Sequence, residues 1–130
     1  MDVLFLDANV LFSAAYRSDA RVREIWKLND AELVSSGYAI DEARRNLAHD
    51  DQLTDLTNLL KSVRVVSSLP AHVMPTGIRL PEKDRPILLA ALGCGASYLL
   101  AGDLRHFGTL LGTEVDGVLV CTPGAYLRNR

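Results

Sequence analysis

The chain reads as an α/β protein, a three-layer α/β/α arrangement around a mainly parallel sheet of roughly five strands. Three observations predict this. Short apolar runs alternate along the sequence with longer stretches of helical spacing. Strands that alternate with helices imply right-handed crossovers, and so a parallel sheet covered on both faces. Two of the apolar runs also end on a carboxylate: Val3-Leu4-Phe5-Leu6 stops at Asp7-Ala8-Asn9, and Ser97-Tyr98-Leu99-Leu100 runs into Ala101-Gly102-Asp103. The carboxyl ends of parallel strands are where ligands collect in such sheets. Two aspartates delivered to one sheet edge are costly to hold together unless a cation sits between them, which suggests a hard-metal site.

The elements follow in order. Residues 3–6 form the first strand, and residues 9–16 and 20–28 carry helical spacing. Glu32-Leu33-Val34-Ser35 is a short second strand. Residues 38–48 and 51–61 read as helices, and Val63-Arg64-Val65-Val66 as the third strand. A loop bearing Pro70, Pro75 and Gly77 follows. Pro81 then opens a helix that runs to about Leu92 and is closed by Gly93 and Gly95. Next come a strand over 97–100, a helix over 104–111, the strand Val118-Leu119-Val120-Cys121 and a short C-terminal helix from Pro123. There is no internal repeat, low-complexity tract or linker, so residues 1–130 are expected to form one domain.

Composition bounds the function. With 130 residues the chain can bury about two thirds of its unfolded surface. Apolar residues at 48% and charged residues at 23% argue for a globular protein and against disorder. No apolar stretch approaches the roughly 18 residues needed to span a membrane, and the start Met1-Asp2 lacks the basic region of a signal peptide. Cys94 and Cys121 stand in apolar surroundings without metal-ligand spacing and read as small buried hydrophobes. The natural compartment is the reducing cytoplasm. A net charge of −2 does not by itself suggest nucleic acid. Yet 11 of the 14 basic residues are arginine, whose planar fork suits phosphate better than an ammonium does. With several carboxylates engaged by a cation, the balance of the remaining charge turns positive.

Each candidate acid has a plain alternative role. Asp7 and Asp103 could cap the helices that follow them, although a cap explains one polar residue at a strand end and not the Asp7/Asn9 pair. On a helical wheel, Ala39, Ile40, Ala43 and Leu47 mark a buried arc. Asp41 points away from that arc, while Glu42 and Asn46 lie on its border, one turn apart. Glu42 is therefore the acid able to reach into a cleft, unless it only pairs with Arg44 or Arg45 at the surface. Asp84 stands in the first turn after Pro81, where the helix dipole favours an acid. Ile87, Leu88 and Ala91 lie three, four and seven positions on, so Asp84 shares the apolar stripe rather than the solvent face.

Taken together, these motifs resemble a known family. Asp in D-x-N after the first strand, Glu in a helix after the second, Asp in L-P-x-x-D-x-x-I-L-x-A-A and Asp in G-D-x-x-x-F, in that order, are similar to the PIN domain. The matching stretches are Leu4–Leu11, Leu33–Leu47, Leu80–Ala91 and Tyr98–Phe107, so the likeness spans almost the whole chain. The resemblance implies a metal-dependent ribonuclease, often the toxin of a bacterial toxin–antitoxin pair. An RNA substrate, an antitoxin protein and a second copy in a homodimer are then the expected partners. Carried over, the acidic site is Asp7, Glu42, Asp84 and Asp103, with Asn9 as a supporting polar group. The chain departs from the family where many members have Thr or Ser, at Ala101. It has Leu104, Arg105 and His106 where some members have another acid.

The chemistry fits these residue types. Phosphodiester hydrolysis needs an activated water and neutralisation of the phosphoryl oxygens, and Mg²⁺ or Mn²⁺ provides both. Such hard cations take oxygen ligands and keep several waters, so a few carboxylates suffice. Asp7 and Asp103, on stiff strand ends, are assigned to the metal directly, and Glu42 and Asp84 to its waters or to the nucleophile. Arg44, Arg85, Arg105 and His106 are candidates for the substrate phosphate. Two rival readings stand beside this one. A haloacid-dehalogenase-type phosphatase also starts from an Asp after strand one, but needs a second Asp where this chain has Asn9. A non-catalytic PIN-like module that binds RNA or protein would not need all four acids.

Overall fold

The computed structural model describes residues 1–67, 73–102 and 107–130. Its centre is a six-stranded sheet: β1 (Asp2–Leu6), β2 (Ala31–Ser36), β3 (Val63–Val66), β4 (Tyr98–Leu100), β5 (Glu114–Val115) and β6 (Val118–Cys121). The strands lie in the order β3-β2-β1-β4-β6-β5, and every pairing is parallel except β5 with β6. The α/β class and the mainly parallel sheet are as the sequence predicts, and the sheet has one strand more than expected. The extra strand is β5, a two-residue partner that β6 gains through a tight hairpin. Asp116 (φ 47°) and Gly117 (φ 88°) are its two turn residues, both in the left-handed region that a type I′ turn requires.

β1 is central because it is apolar throughout. Leu4, Phe5 and Leu6 are fully buried, as a parallel strand covered on both faces must be. Each such side chain contributes about 1.5–3 kcal/mol of burial. Leu99 and Leu100 of β4 and Val34 of β2 extend this apolar layer to either side.

The helices are α1 (Ala8–Tyr16), α2 (Gly37–Asn46), α3 (Asp50–Leu60), α4 (Arg85–Gly93) and α5 (Pro123–Arg128). α1 packs against both α2 and α3. α4 returns the chain across the sheet from β3 to β4, and with right-handed crossovers it covers the face opposite α1 and α3. Two stretches differ from the sequence reading. Arg21–Lys27 is a 3-10 helix rather than an α-helix. Tertiary bonds hold it: Arg23 Nε donates to the Ala14 carbonyl (2.7 Å) and Trp26 Nε1 to the Leu59 carbonyl (3.0 Å). The helix after Pro81 also begins as a 3-10 turn, Glu82–Asp84, before α4 proper starts with Pro86 in its first turn. The helix expected over 104–111 begins outside the described residues. From Phe107 the chain turns, with the amides of Leu110 and Leu111 both donating to the Phe107 carbonyl.

Strand order reverses at β1. The chain moves outward from β1 through β2 to β3, then returns to place β4 on the other side of β1. A crevice forms at the carboxyl ends of strands at such a switch point. Asp7 follows β1 and Gly102 follows β4, so both stand at that edge. No helix among the described residues is long and apolar enough to cross a membrane.

Candidate functional site

At this edge lies a cavity of about 340 Å³ lined by Asp7, Asn9, Glu42 and Asp84, together with Ala8, Phe12, Asn46 and Lys83. Four stretches of chain contribute: the end of β1, the start of α1, the middle of α2 and the turn before α4.

Asp7 is clamped by its neighbours. Its amide donates to the Leu100 carbonyl of β4 (3.0 Å), while the Ser35 hydroxyl of β2 donates to the preceding carbonyl, that of Leu6 (2.8 Å). The end of β1 is therefore tied to both neighbouring strands. The Asp7 side chain is 2% exposed and accepts from the Ala8 amide at 2.7 Å, as the N-cap of α1. The capping role and a place in the cavity thus coexist in one carboxylate.

Asp84 is also 2% exposed, which bears out its position on the apolar stripe. It occupies the residue before α4, yet its side chain makes no helix-capping bond. Helix capping does not explain the burial of this acid.

Glu42 and Asn46, one turn apart on α2, both line the cavity, and Asn46 Nδ2 donates to the Glu42 carbonyl (2.9 Å). Asp41 is exposed and pairs with Arg44 at 3.4 Å. The wheel separation of Asp41 from Glu42 holds in three dimensions. The surface pair weighed for Glu42 is instead made by its neighbour.

Tyr38 reports independently on the convergence. Its hydroxyl donates to the Lys83 carbonyl (2.6 Å), which fastens the start of α2 to the turn that carries Asp84. Burial raises its pKa above the ordinary phenol value, and the negative charges of Glu42 and Asp84 raise it further, against a lowering by Arg45.

Asn9 completes the wall. Its Oδ1 accepts from the Ser13 hydroxyl (3.5 Å), and a Cβ built at Gly102 would come within 3.8 Å of that same oxygen. The chain leaving β4 thus passes directly beside Asn9. Asp103, Arg105 and His106 lie outside the described residues. Arg44 and Arg85 are exposed and do not line the cavity. Among the described residues the cation that does is Lys83, which the sequence reading passed over, along with Phe12, the clamp residue Ser35 and the strap Tyr38. Only Lys83 carried a signal, its place next to Asp84.

Among the described residues the candidate donors are all oxygen, three carboxylates and two side-chain amides, with no thiol or imidazole. This suits a hard divalent cation that retains its waters. Among the described residues no three His, Cys, Asp or Glu side chains form a metal-holding group by themselves. The three acids border a cavity rather than close a cage. No protein-family model and no curated protein matches the sequence.

Proposed function

We propose that this chain is a metal-dependent ribonuclease of the PIN type, which hydrolyses RNA phosphodiester bonds at the cavity bordered by Asp7, Glu42 and Asp84. Asp103 is the fourth acid by its motif. The observation that carries the reading is the meeting of two almost fully buried aspartates and a glutamate, from distant parts of the chain, at the switch point of the sheet. Carboxylates gathered at one cavity are a donor set that suits a hard cation. Mg²⁺ or Mn²⁺, when bound, would supply charge neutralisation at the phosphoryl group and an acidified water.

The chain's own residues divide the remaining work. Asp7, held from both sides by β2 and β4, offers the stiffest carboxylate. Glu42 and Asp84, which line the same cavity, would accept protons from attacking water and fix its direction. Asn9 orients from the α1 side. Lys83 is the candidate for the substrate phosphate in the described structure, in preference to Arg44 and Arg85. The family resemblance further assigns the chain to the toxin side of a toxin–antitoxin pair acting in the cytoplasm.

The test is cleavage of single-stranded RNA by purified protein. Activity should vanish with chelator and return with Mg²⁺ or Mn²⁺. Asp7→Asn should lower the rate about 100-fold or more, equivalent to about 2.7 kcal/mol of transition-state stabilisation. Asp41→Asn, on the outward side of the same helix as Glu42, should leave it unchanged. Metal-independent cleavage, or equal losses from Asp41→Asn and Glu42→Gln, would refute the assignment.

A further inference from the structure

The cavity does not end at the acids. Phe12, which lines it, also lines a second depression of about 410 Å³ further along α1, bordered by Tyr16, Arg17 and Arg21. Asn9, Phe12, Ser13 and Tyr16 are spaced three or four residues apart and so form one stripe of the helix. The stripe runs for about 10 Å, from the acidic cavity to the end of α1. Phe12 and Tyr16 are stacked, with ring centroids 5.2 Å apart and planes at 22°. Tyr16 is 51% exposed, while Phe12 is partly buried against the core and open to both depressions. Two guanidinium groups border the same depression, Arg17 in a solvent-exposed pair with Asp19 (3.1 Å) and Arg21 exposed beside it.

An exposed aromatic step flanked by arginines and continuous with a phosphate-processing cavity matches the chemistry of single-stranded nucleic acid. Bases stack on rings whatever their identity, and guanidinium groups follow the phosphates. A duplex hides its base faces and cannot use such a step. We infer that Phe12 and Tyr16 form a base-stacking platform that holds an unpaired nucleotide next to the scissile phosphate, with Arg17 and Arg21 along its backbone. This restricts the substrate to single-stranded or looped RNA. The platform rests on the nuclease reading for the place of the scissile phosphate, but its test does not require cleavage.

The probe is a short single-stranded RNA carrying one 2-aminopurine, titrated with the Asp7→Asn protein in Mg²⁺ so that cutting is slow on the time of the titration. Stacking quenches the fluorescent base. Tyr16→Ala should weaken binding about 5- to 100-fold, the range for loss of one base–aromatic stack, and relieve the quenching. Tyr16→Trp should retain both affinity and quenching, and Tyr16→Leu, apolar but unable to stack, should lose both. Because Tyr16 is half exposed, none of these changes threatens the fold, and urea unfolding checks that. In the cleaving protein, Tyr16→Ala should raise KM for the single strand while a matched duplex stays a poor substrate.

Equal affinity in the Ala, Leu and Trp variants overturns the platform even if the wild type cleaves RNA. Retained affinity in the Leu variant does the same. A changed oligomeric state with unchanged RNA binding would assign the face to a protein partner and likewise overturn it. A wild type that cleaves nothing, yet binds with the Ala/Leu/Trp pattern described, removes the nuclease reading and leaves the platform standing.

Discussion

The Tyr126 hydroxyl stands between opposite charges at the far end of the sheet from the acids. It donates to Asp2 Oδ2 at 2.7 Å and accepts from Arg130 at 2.8 Å, while Arg130 also pairs with Asp30. Burial, followed by the hydrogen bond to and charge of Asp2, pushes its pKa from the ordinary 10.0 up to about 12. The sign follows from linkage. A phenol whose folded pKa is raised holds its proton more tightly when folded, so its contribution is complete below pH 10 and is lost as pH rises toward 12. Unfolding measured across this window should show stability falling with pH. Asp2→Asn removes the charge, keeps the burial and leaves a neutral oxygen to accept the hydrogen bond. The Tyr126 titration, followed by phenolate absorbance against a Tyr126→Phe blank, should then move down without reaching the ordinary value. An unmoved midpoint in Asp2→Asn would show that the charge of Asp2 plays no part in it. Side-chain partnerships of this kind were not legible in the sequence, where 124 positions separate Tyr126 from Asp2. The same holds for Ser35, whose hydroxyl finds the Leu6 carbonyl 29 positions away. Glu42 was legible because its exposure follows from local periodicity alone.

At the scale of elements, the end of α4 shows a local rule at work. The Ala96 amide donates to the Ala91 carbonyl (3.1 Å) and the Gly95 amide to that of Leu92 (3.2 Å), the paired bonds of a Schellman cap, with Gly95 at φ +69°. No atom lies within 4 Å of a Cβ built there, so Gly95→Ala meets only the backbone penalty. That penalty is roughly 1–2 kcal/mol, partly offset by a less flexible unfolded chain. We expect a net loss of about 1 kcal/mol, a fall of roughly 3–5 °C in the thermal midpoint, with the proposed RNA cleavage unaltered because the cap is at the opposite end of α4 from Asp84. A neutral or stabilising change would mean that the turn readjusts. The sequence announced this stop through Gly93 and Gly95, and announced β1 and β4 through apolar runs ending on acids. The β5–β6 hairpin was not read from the sequence: the Asp116-Gly117 pair between Val115 and Val118 is a turn signal, but a two-residue strand has no periodicity to detect. The 3-10 form of Arg21–Lys27 is set by bonds from Arg23 and Trp26 to other elements, and spacing within the segment cannot distinguish it from an α-helix.

For the molecule as a whole, the proposed site implies a trade of stability against function. Asp7 and Asp84 are almost fully buried, and Glu42 shares their cavity. Without a cation, carboxylates gathered at one cavity repel one another. Neutralising one acid should therefore leave the metal-free protein as stable as before or more so, while activity is lost. Asn is the right replacement at Asp7 because its side-chain oxygen can still accept from the Ala8 amide. Asp7→Ala loses that cap and should cost about 1 kcal/mol. The comparison separates the two roles of one carboxylate: Asn removes only the charge, Ala the charge and the cap. Cation binding then adds a linked term. At a concentration about 100 times Kd, wild type should gain about 2.7 kcal/mol in urea unfolding, and Asp7→Asn and Asp84→Asn should gain less. Tyr38 supplies a readout that owes nothing to unfolding. Burial holds its phenol above the ordinary range, and Glu42 and Asp84 add to the shift, so a cation among these acids should bring its titration down. Mg²⁺ should have no such effect on Tyr126, whose charged neighbours are at the opposite edge of the sheet. A wild type whose unfolding and Tyr38 titration both ignore Mg²⁺ and Mn²⁺ would leave the buried acids without a cation and the proposed hydrolysis without its electrophile.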